Sequence, residues 1–292
     1  MENNQSALRL AIANKAYRLV GETPRSTASP QVHWLNEAFM FPGLNTKKRV
    51  WIYLPEEYET SGRRYPVIYM HDGQHLFDEA TATGRKGPVE WGVDECIDAS
   101  ANKAIVVAIA SSDSADGRKK EYLVNSDYTQ KVEGELYLRD IIFSLKPFVD
   151  GKYKTLPDAA NTAMVGSSLG GLITLYAGLF YPDVFASLGV FSPSIWMDDQ
   201  QALTRAIKTL STRQKESQQQ NYYFYGGKLE IRKGPNAPSV NMTENIVHIS
   251  SLLKDHGCPN VVTNISATGQ HGALYWQKEF PQFYEWWHKQ LT

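Results

Sequence analysis

Gly166-Ser167-Ser168-Leu169-Gly170 is the segment whose residue types and spacing best support chemistry. It fits G-x-S-x-G in one register, with Ser168 central. An apolar run that reads as a strand, 162–165, precedes it, and a run that reads as a helix, 169–180, follows. The pattern needs that strand–turn–helix setting to hold a nucleophilic serine on a sharp turn. Side chains would crowd the backbone there, and glycines at 166 and 170 relieve the crowding. The helix start adds N–H donors and partial positive charge where an oxyanion would form. A Gly/Ser-rich turn with no chemistry is the competing interpretation.

A serine hydroxyl attacks well only when a base takes its proton. Of the seven histidines, only His271 follows the last predicted strand in a loop of small residues, Thr268-Gly269-Gln270-His271-Gly272. His288 falls inside a terminal helix, His256 at a helix C-terminus and His248 on a helix surface. In sheets that carry this turn the chain order is nucleophile, acid, base. Glu230, reached from a predicted strand at 221–225 through Gly226-Gly227-Lys228-Leu229, is the first choice of acid. Asp198, Asp199 and Asp255 are open alternatives. A second oxyanion donor comes from a loop after an earlier strand. The backbone N–H of Gly73 or Gln74, in His71-Asp72-Gly73-Gln74-His75, is therefore paired with that of Leu169. His71, Asp72 and His75 could instead bind a metal, but they would need a fourth ligand from elsewhere, and Asp-Gly is ordinary turn chemistry. No metal and no cofactor are expected.

These residues need a scaffold, and the chain alternates accordingly. Strands are predicted over 49–54, 66–70, 104–109, 162–165, 186–191, 221–225 and 261–265. Helices are predicted over 95–101, 138–149 (kinked or ended near Pro147), 169–180, 200–210, 246–253 and 280–291. Asn241 with Glu244 resembles a capping box for the helix that Gly257 stops. The run Ala104-Ile-Val-Val-Ala-Ile109 is apolar on both faces, as a central parallel strand requires. Strands alternating with helices predict a mostly parallel central sheet with helices on both faces. Residues 1–30 are expected to form an N-terminal extension, with a short helix over Leu8–Leu19, ahead of one domain at 31–292.

Composition narrows the function classes. The 292 residues carry 30 Lys+Arg against 31 Asp+Glu, net charge -1, which gives no bulk attraction for nucleic acid or an anionic membrane. Apolar residues at 42% and charged ones at 21% are those of a globular chain, not a disordered one. The uncharged stretch from Ala159 to Pro182 is broken by Asn161 and Gly166–Gly171, so it reads as two elements joined by a turn rather than a membrane span. Cys96 and Cys258 match no paired spacing and read as free thiols. The first residues lack a basic-then-apolar leader, so the chain reads as cytoplasmic. No pattern bears on oligomeric state.

The chain also resembles the esterase-D-like, enterochelin-esterase-related branch of the α/β-hydrolases, known as the putative-esterase family. The matching pieces are Arg49–Pro55, Tyr65–Gln74 with Leu76-Phe77-Asp78, Trp91-Gly-Val-Asp94, Gly166–Gly171, Phe191-Ser-Pro-Ser194, and His271 with Tyr275-Trp276. They span most of residues 47–287. The resemblance implies an α/β-hydrolase fold and a serine esterase acting on a small-molecule ester. It implies Ser168 as nucleophile, His271 as base, the Gly73–Gln74 loop as oxyanion loop, and Glu230 as acid through its Gly-x-x-Glu form. The family includes siderophore, formylglutathione, feruloyl and acetyl-xylan hydrolases and also mycolyltransferases. Transfer to a sugar or lipid alcohol is therefore the alternative reaction, and a silent carbohydrate-binding module the third. Trp91, Arg118, Tyr122, Trp196, Tyr275 and Trp276 are expected to line the substrate pocket, with Arg118–Tyr122 as a basic loop at its mouth favouring an anionic substrate.

Overall fold

The computed structural model describes residues 25–82, 89–125, 131–213, 219–232 and 239–291. The helix expected over Leu8–Leu19 lies outside them.

Successive residues of the apolar runs face opposite cores. Val67 and Tyr69 join one buried cluster while Ile68 and Met70 join another. Ile105, Val107 and Ile109 alternate in the same way with Val106 and Ala108. That two-sided burial is what makes these strands apolar throughout. The strands are β1 (Val32–Phe41), β2 (Thr46–Tyr53), β3 (Val67–His71), β4 (Ile105–Ile109), β5 (Thr162–Ser167), β6 (Ser187–Phe191), β7 (Asn221–Gly227) and β10 (Asn260–Ser266). They form one eight-stranded sheet in the order β1-β2-β4-β3-β5-β6-β7-β10. β1 and β2 are antiparallel to their neighbours, and the other pairings are parallel. Two short strands, β8 (Ile231–Arg232) and β9 (Val240–Asn241), pair outside it. The helices are α1 (Val93–Ala99), α2 (Ala115–Tyr122), α3 (Gly134–Asp140), α4 (Lys146–Lys152), α5 (Leu169–Phe180), α6 (Gln200–Ser211), α7 (Met242–Asp255) and α8 (Ala273–His288). Helices α1 and α8 contribute to the second cluster, and α3 to α7 to the first, so both faces of the sheet are covered.

Besides the short β8–β9 pair, four elements depart from the sequence expectation. β1 was not anticipated; its alternation is disturbed by two register shifts, which blur the period-2 signal. Arg118–Tyr122 is not a loop but most of α2, capped by the Ser114 side chain, which accepts from the Gly117 N–H. The helix around Pro147 is not ended: a π turn, Ile141–Leu145, joins α3 to α4, and the Lys146 N–H reaches back to Ile141 O. Proline near the start of α4 then removes no bond the turn needs. α8 begins at Ala273 rather than 280 and carries Pro281 inside, because Phe280, Phe283, Tyr284 and Trp287 lock one face into the core. The uncharged stretch resolves into β5, a turn and α5, and among the described residues no helix is long and apolar enough to cross a membrane. Cys96 and Cys258 are unbridged. Residues ahead of β1 lie against the domain through Ser26, Thr27 and Ser29, which donate to Asp78, Glu90 and Asp94.

Candidate active site

Ser168 stands on the turn between β5 and α5. It has φ 59 and ψ -120, a region that non-glycine residues avoid and that costs about 1–3 kcal/mol. The surroundings over-determine it. Its N–H donates to Phe191 O at 2.9 Å, and its carbonyl accepts from Leu172 N at 3.1 Å and Ser194 N at 2.9 Å. A Cβ on Gly166 would lie 2.5 Å from Gly170 O, and one on Gly171 2.8 Å from Phe191 O. Only glycine lets the strand end and helix start come so close.

The turn aims the hydroxyl at a histidine from the other end of the chain. Ser168 Oγ is 3.1 Å from His271 Nε2 and 3.1 Å from Ser194 Oγ. His271 Nδ1 is 2.8 Å from Glu230 Oε2. The loops carrying Glu230 and His271 are fused through their backbones: Leu229 N donates to Gly269 O at 3.1 Å, and Lys228 N to Ser266 O at 3.0 Å. A Cβ on Gly227 would fall 2.2 Å from Gly269 C, so the two loops meet glycine against glycine. Glu230 is buried and its other oxygen is also occupied: Oε1 accepts from Ser192 Oγ at 2.7 Å and Gly227 N at 2.8 Å. Ser192 in turn accepts from Trp276 Nε1 at 3.0 Å. The alternative acids are engaged elsewhere. Asp198 accepts from Tyr176 Oη, and Asp199 caps α6. Asp255 ends α7.

Burial lowers the His271 imidazole below its ordinary 6.5; the contact with Glu230 works the other way, while Arg232 and Arg118 add to the lowering. A neutral ring at pH 7 has a lone pair free for a proton. Its Nδ1–H, assigned from the Glu230 contact, leaves Nε2 as the acceptor facing Ser168.

Leu169 is the first residue of α5, and Gly73 and Gln74 open a 3-10 turn (Gly73–His75) directly after β3. First-turn N–H groups have no acceptor within their own helix. Those three N–H groups are the donors the sequence nominated. Asp72, before them, has φ 57. Its carboxylate receives Arg118 Nε at 2.6 Å and Nη2 at 2.6 Å. Burial alone would push the Asp72 carboxyl up, but the Arg118 charge and hydrogen bonds outweigh it and hold it at about 2. His71 Nδ1 meets Tyr137 Oη at 2.8 Å, and burial keeps its ring at about 3. With His71 and Asp72 so committed, among the described residues no group of three potential ligands is placed to hold a metal ion.

The expected pocket residues divide. Tyr275 and Trp276, in the first turn of α8, are half-buried, and the Trp276 ring lies 5.1 Å from the His271 ring. Trp196 is half-buried on a 3-10 turn (Ile195–Met197) after β6. Trp91 is a core residue at 4% exposure, packed on Phe191 and Phe280 and backing Trp276 at 5.8 Å. Tyr122 is fully buried and cannot face a ligand. Arg118 spends its guanidinium on Asp72 rather than projecting from a basic loop. Sequence reasoning gave no role to Ser192 or Ser194, and it took Asp72 only as a turn residue or a possible metal ligand. The signal for the two serines was present, since Ser192-Pro-Ser194 follows a buried strand directly.

A mostly parallel eight-stranded sheet with a serine on the turn between a central strand and its helix is the α/β-hydrolase architecture. The Esterase family model, described as Putative esterase, matches residues 42–286, and the chain belongs to that family of carboxylic ester hydrolases. Similar proteins include YbbA of Bacillus subtilis (strain 168), an uncharacterized protein, 23% identical over 82% of this chain and 92% of that one. The siderophore enterobactin esterase of Emericella nidulans is 28% identical over 53% of this chain and 55% of its own length. Among solved structures, the enterobactin esterase FES from Shigella flexneri, crystallised in the presence of enterobactin, superposes with a TM-score of 0.67 at 20% identity. That match covers 91% of this chain and 61% of FES.

Proposed function

We propose that the protein hydrolyses carboxylic esters through an acyl-enzyme on Ser168, with an ester whose acyl part carries an aromatic ring, of siderophore or feruloyl type, as substrate. The observation that carries this is the pair of contacts running Ser168 Oγ to His271 Nε2, 3.1 Å, and His271 Nδ1 to Glu230, 2.8 Å. Ser168 Oγ attacks the ester carbonyl while His271 Nε2 takes the hydroxyl proton. The carbonyl oxygen becomes an oxyanion facing the N–H of Leu169 and of Gly73 or Gln74, each such donor being worth about 3 kcal/mol. His271 then gives its proton to the departing alcohol, and the C–O bond to that alcohol breaks. Water, deprotonated by the same His271, attacks the acyl-enzyme; the acid leaves and Ser168 regains its proton. Glu230 fixes the ring tautomer and stabilises the imidazolium. Acyl transfer to an alcohol would use the same residues, and the esterase names of the relatives favour water as acceptor.

The substrate class is supported by those names and by Tyr275 and Trp276 beside His271. Ser168→Ala is expected to abolish ester cleavage together with fluorophosphonate labelling. Labelling retained in that variant, at another serine, would overturn the assignment. N-(dihydroxybenzoyl)seryl or hydroxycinnamoyl esters should exceed acetyl esters of the same alcohol by about tenfold in kcat/KM, the size of one good aromatic contact. Equal rates would remove the aromatic preference and leave the hydrolase standing.

A further inference from the structure

α2 (Ala115–Tyr122) is an anomaly among the helices of this fold. It is polar on every side, and only Tyr122 at its end is buried. A helix without an apolar stripe is not docked by hydrophobic burial. Ion pairs hold it instead, Lys120 with Glu133 at 3.1 Å among them. Lys48, itself 5% exposed, meets Glu121 at 2.7 Å, and Glu121 also accepts from Ser112 N at 2.9 Å. One turn earlier, Arg118 grips Asp72 with both arms of its guanidinium, over the Tyr122 ring at 5.0 Å. Arg118 Nη2 also donates to Ser167 O at 3.4 Å, the carbonyl just before the strained serine. Asp72 is just as central: its N–H donates to Tyr122 Oη at 3.3 Å, and a Cβ on Gly170 would sit 3.1 Å from its Oδ2.

The two halves of the oxyanion hole are carried by segments about 100 residues apart in the chain, the Gly73–Gln74 turn and the start of α5. Arg118 is bonded to both, through Asp72 on one side and Ser167 on the other. The loop is held from its other flank as well. Gln74 Nε2 donates to Ser111 Oγ at 2.8 Å, and Ser111 N donates to Gln74 Oε1 at 3.2 Å. A Cβ on Gly73 would meet Ala108 C at 2.8 Å, so the turn rests directly on β4.

We propose that Arg118 is a positioning residue of the oxyanion hole: by bridging Asp72 to Ser167 it sets how far the Gly73–Gln74 N–H groups stand from that of Leu169. It acts through backbone it holds, and it does not bind substrate. The proposal rests on the acyl-enzyme reading above. A bidentate planar cation is required, because one ammonium cannot serve both carboxylate oxygens and the carbonyl in fixed geometry.

The test is a set of variants assayed on one neutral ester and one anionic ester of the same acyl group. Ser168→Ala in parallel decides the acyl-enzyme reading by itself. Arg118→Met should lower kcat by about 10²- to 10³-fold, the size of a lost oxyanion donor, on both esters alike. KM should move by no more than about twofold, because binding in the ground state is spared. Arg118→Lys should recover only part of the loss. Asp72→Asn should resemble Arg118→Met, and the double variant should be no slower than the worse single one, since both break one link. Affinity for a boronic acid, whose tetrahedral adduct needs the hole, should fall in step with kcat. A rise in KM confined to the anionic ester, with kcat kept, would make Arg118 a substrate-binding residue and overturn the proposal. So would fully additive losses, or boronate affinity unchanged while kcat falls. Should Arg118→Met fail to fold, Arg118→Lys and Asp72→Asn carry the same comparison.

Discussion

Two regions of this molecule bury carboxylates in opposite ways. At the catalytic end each buried carboxylate has a donor for its charge: Asp72 has Arg118, and Glu230 has His271, Ser192 and the Gly227 N–H. Beneath residues 26–29, Glu79, Glu90, Asp94 and Glu95 crowd one another, and among the described residues Glu90 and Asp94 accept from neutral groups, the Thr27 hydroxyl and the Ser29 N–H. The physical result is a reversal. Asp72 is held at about 2, whereas burial first, and then Glu95, Asp94 and Glu79, push Glu90 up to about 8. Glu95, at the exposed edge of the group, is pushed to about 8 as well by partial burial and its hydrogen bond to Asp94. Burial acts in the same direction in both places; among the described residues, the presence or absence of a cation beside the carboxylate decides the outcome. A buried carboxylate therefore marks chemistry here only where donors were assembled around it.

Neutralising one carboxylate in each region sharpens the contrast. The largest effect is expected for Glu230→Gln, a loss of about 10³- to 10⁴-fold in kcat, because the wrong tautomer of His271 is stabilised. A rate within a factor of a few of the wild type would transfer the acid role elsewhere. The pH profile comes next. His271 lies below its ordinary 6.5, so the midpoint of the acid limb in kcat/KM should fall below pH 6.5, where the base gains its proton. A limb in kcat/KM above 6.5 would contradict the buried, neutral ring. The smallest effect concerns stability at the other region. The folded Glu90 value of about 8 exceeds the ordinary 4.5, so the folded state keeps a proton that the unfolded chain releases. Stability should therefore decline as pH rises from about 4.5 to about 8, the reverse of the usual carboxylate case. Glu90→Gln should flatten that decline in thermal melts while leaving kcat at pH 7 within about twofold. An unchanged slope would show that the crowding carries no weight.

Much of this was legible in the chain. The central strands announce themselves because residues buried on both sides must all be apolar. The nucleophile turn is legible because part of its crowding is local: a Cβ on Gly166 would meet Gly170 O, four residues on. Glu230 and His271 could be nominated by their order after the last strands. Arg118 could not be read correctly. As sequence it is a basic residue in a polar stretch, and its partner Asp72 is 46 residues away. β1 escaped for a related reason, since an edge strand with bulges obeys its neighbour more than its own pattern.

Sequence alone determined the central strands and the turn at Ser168, and it nominated His271 and, as first choice of acid, Glu230, because periodicity, glycine placement and chain order can be read along the chain. Tertiary structure decided which carboxylates are charged, which aromatic residues back the site rather than line it, and what Arg118 holds. Those outcomes depend on burial and on partners brought together from distant parts of the chain, and neither is written in any one segment.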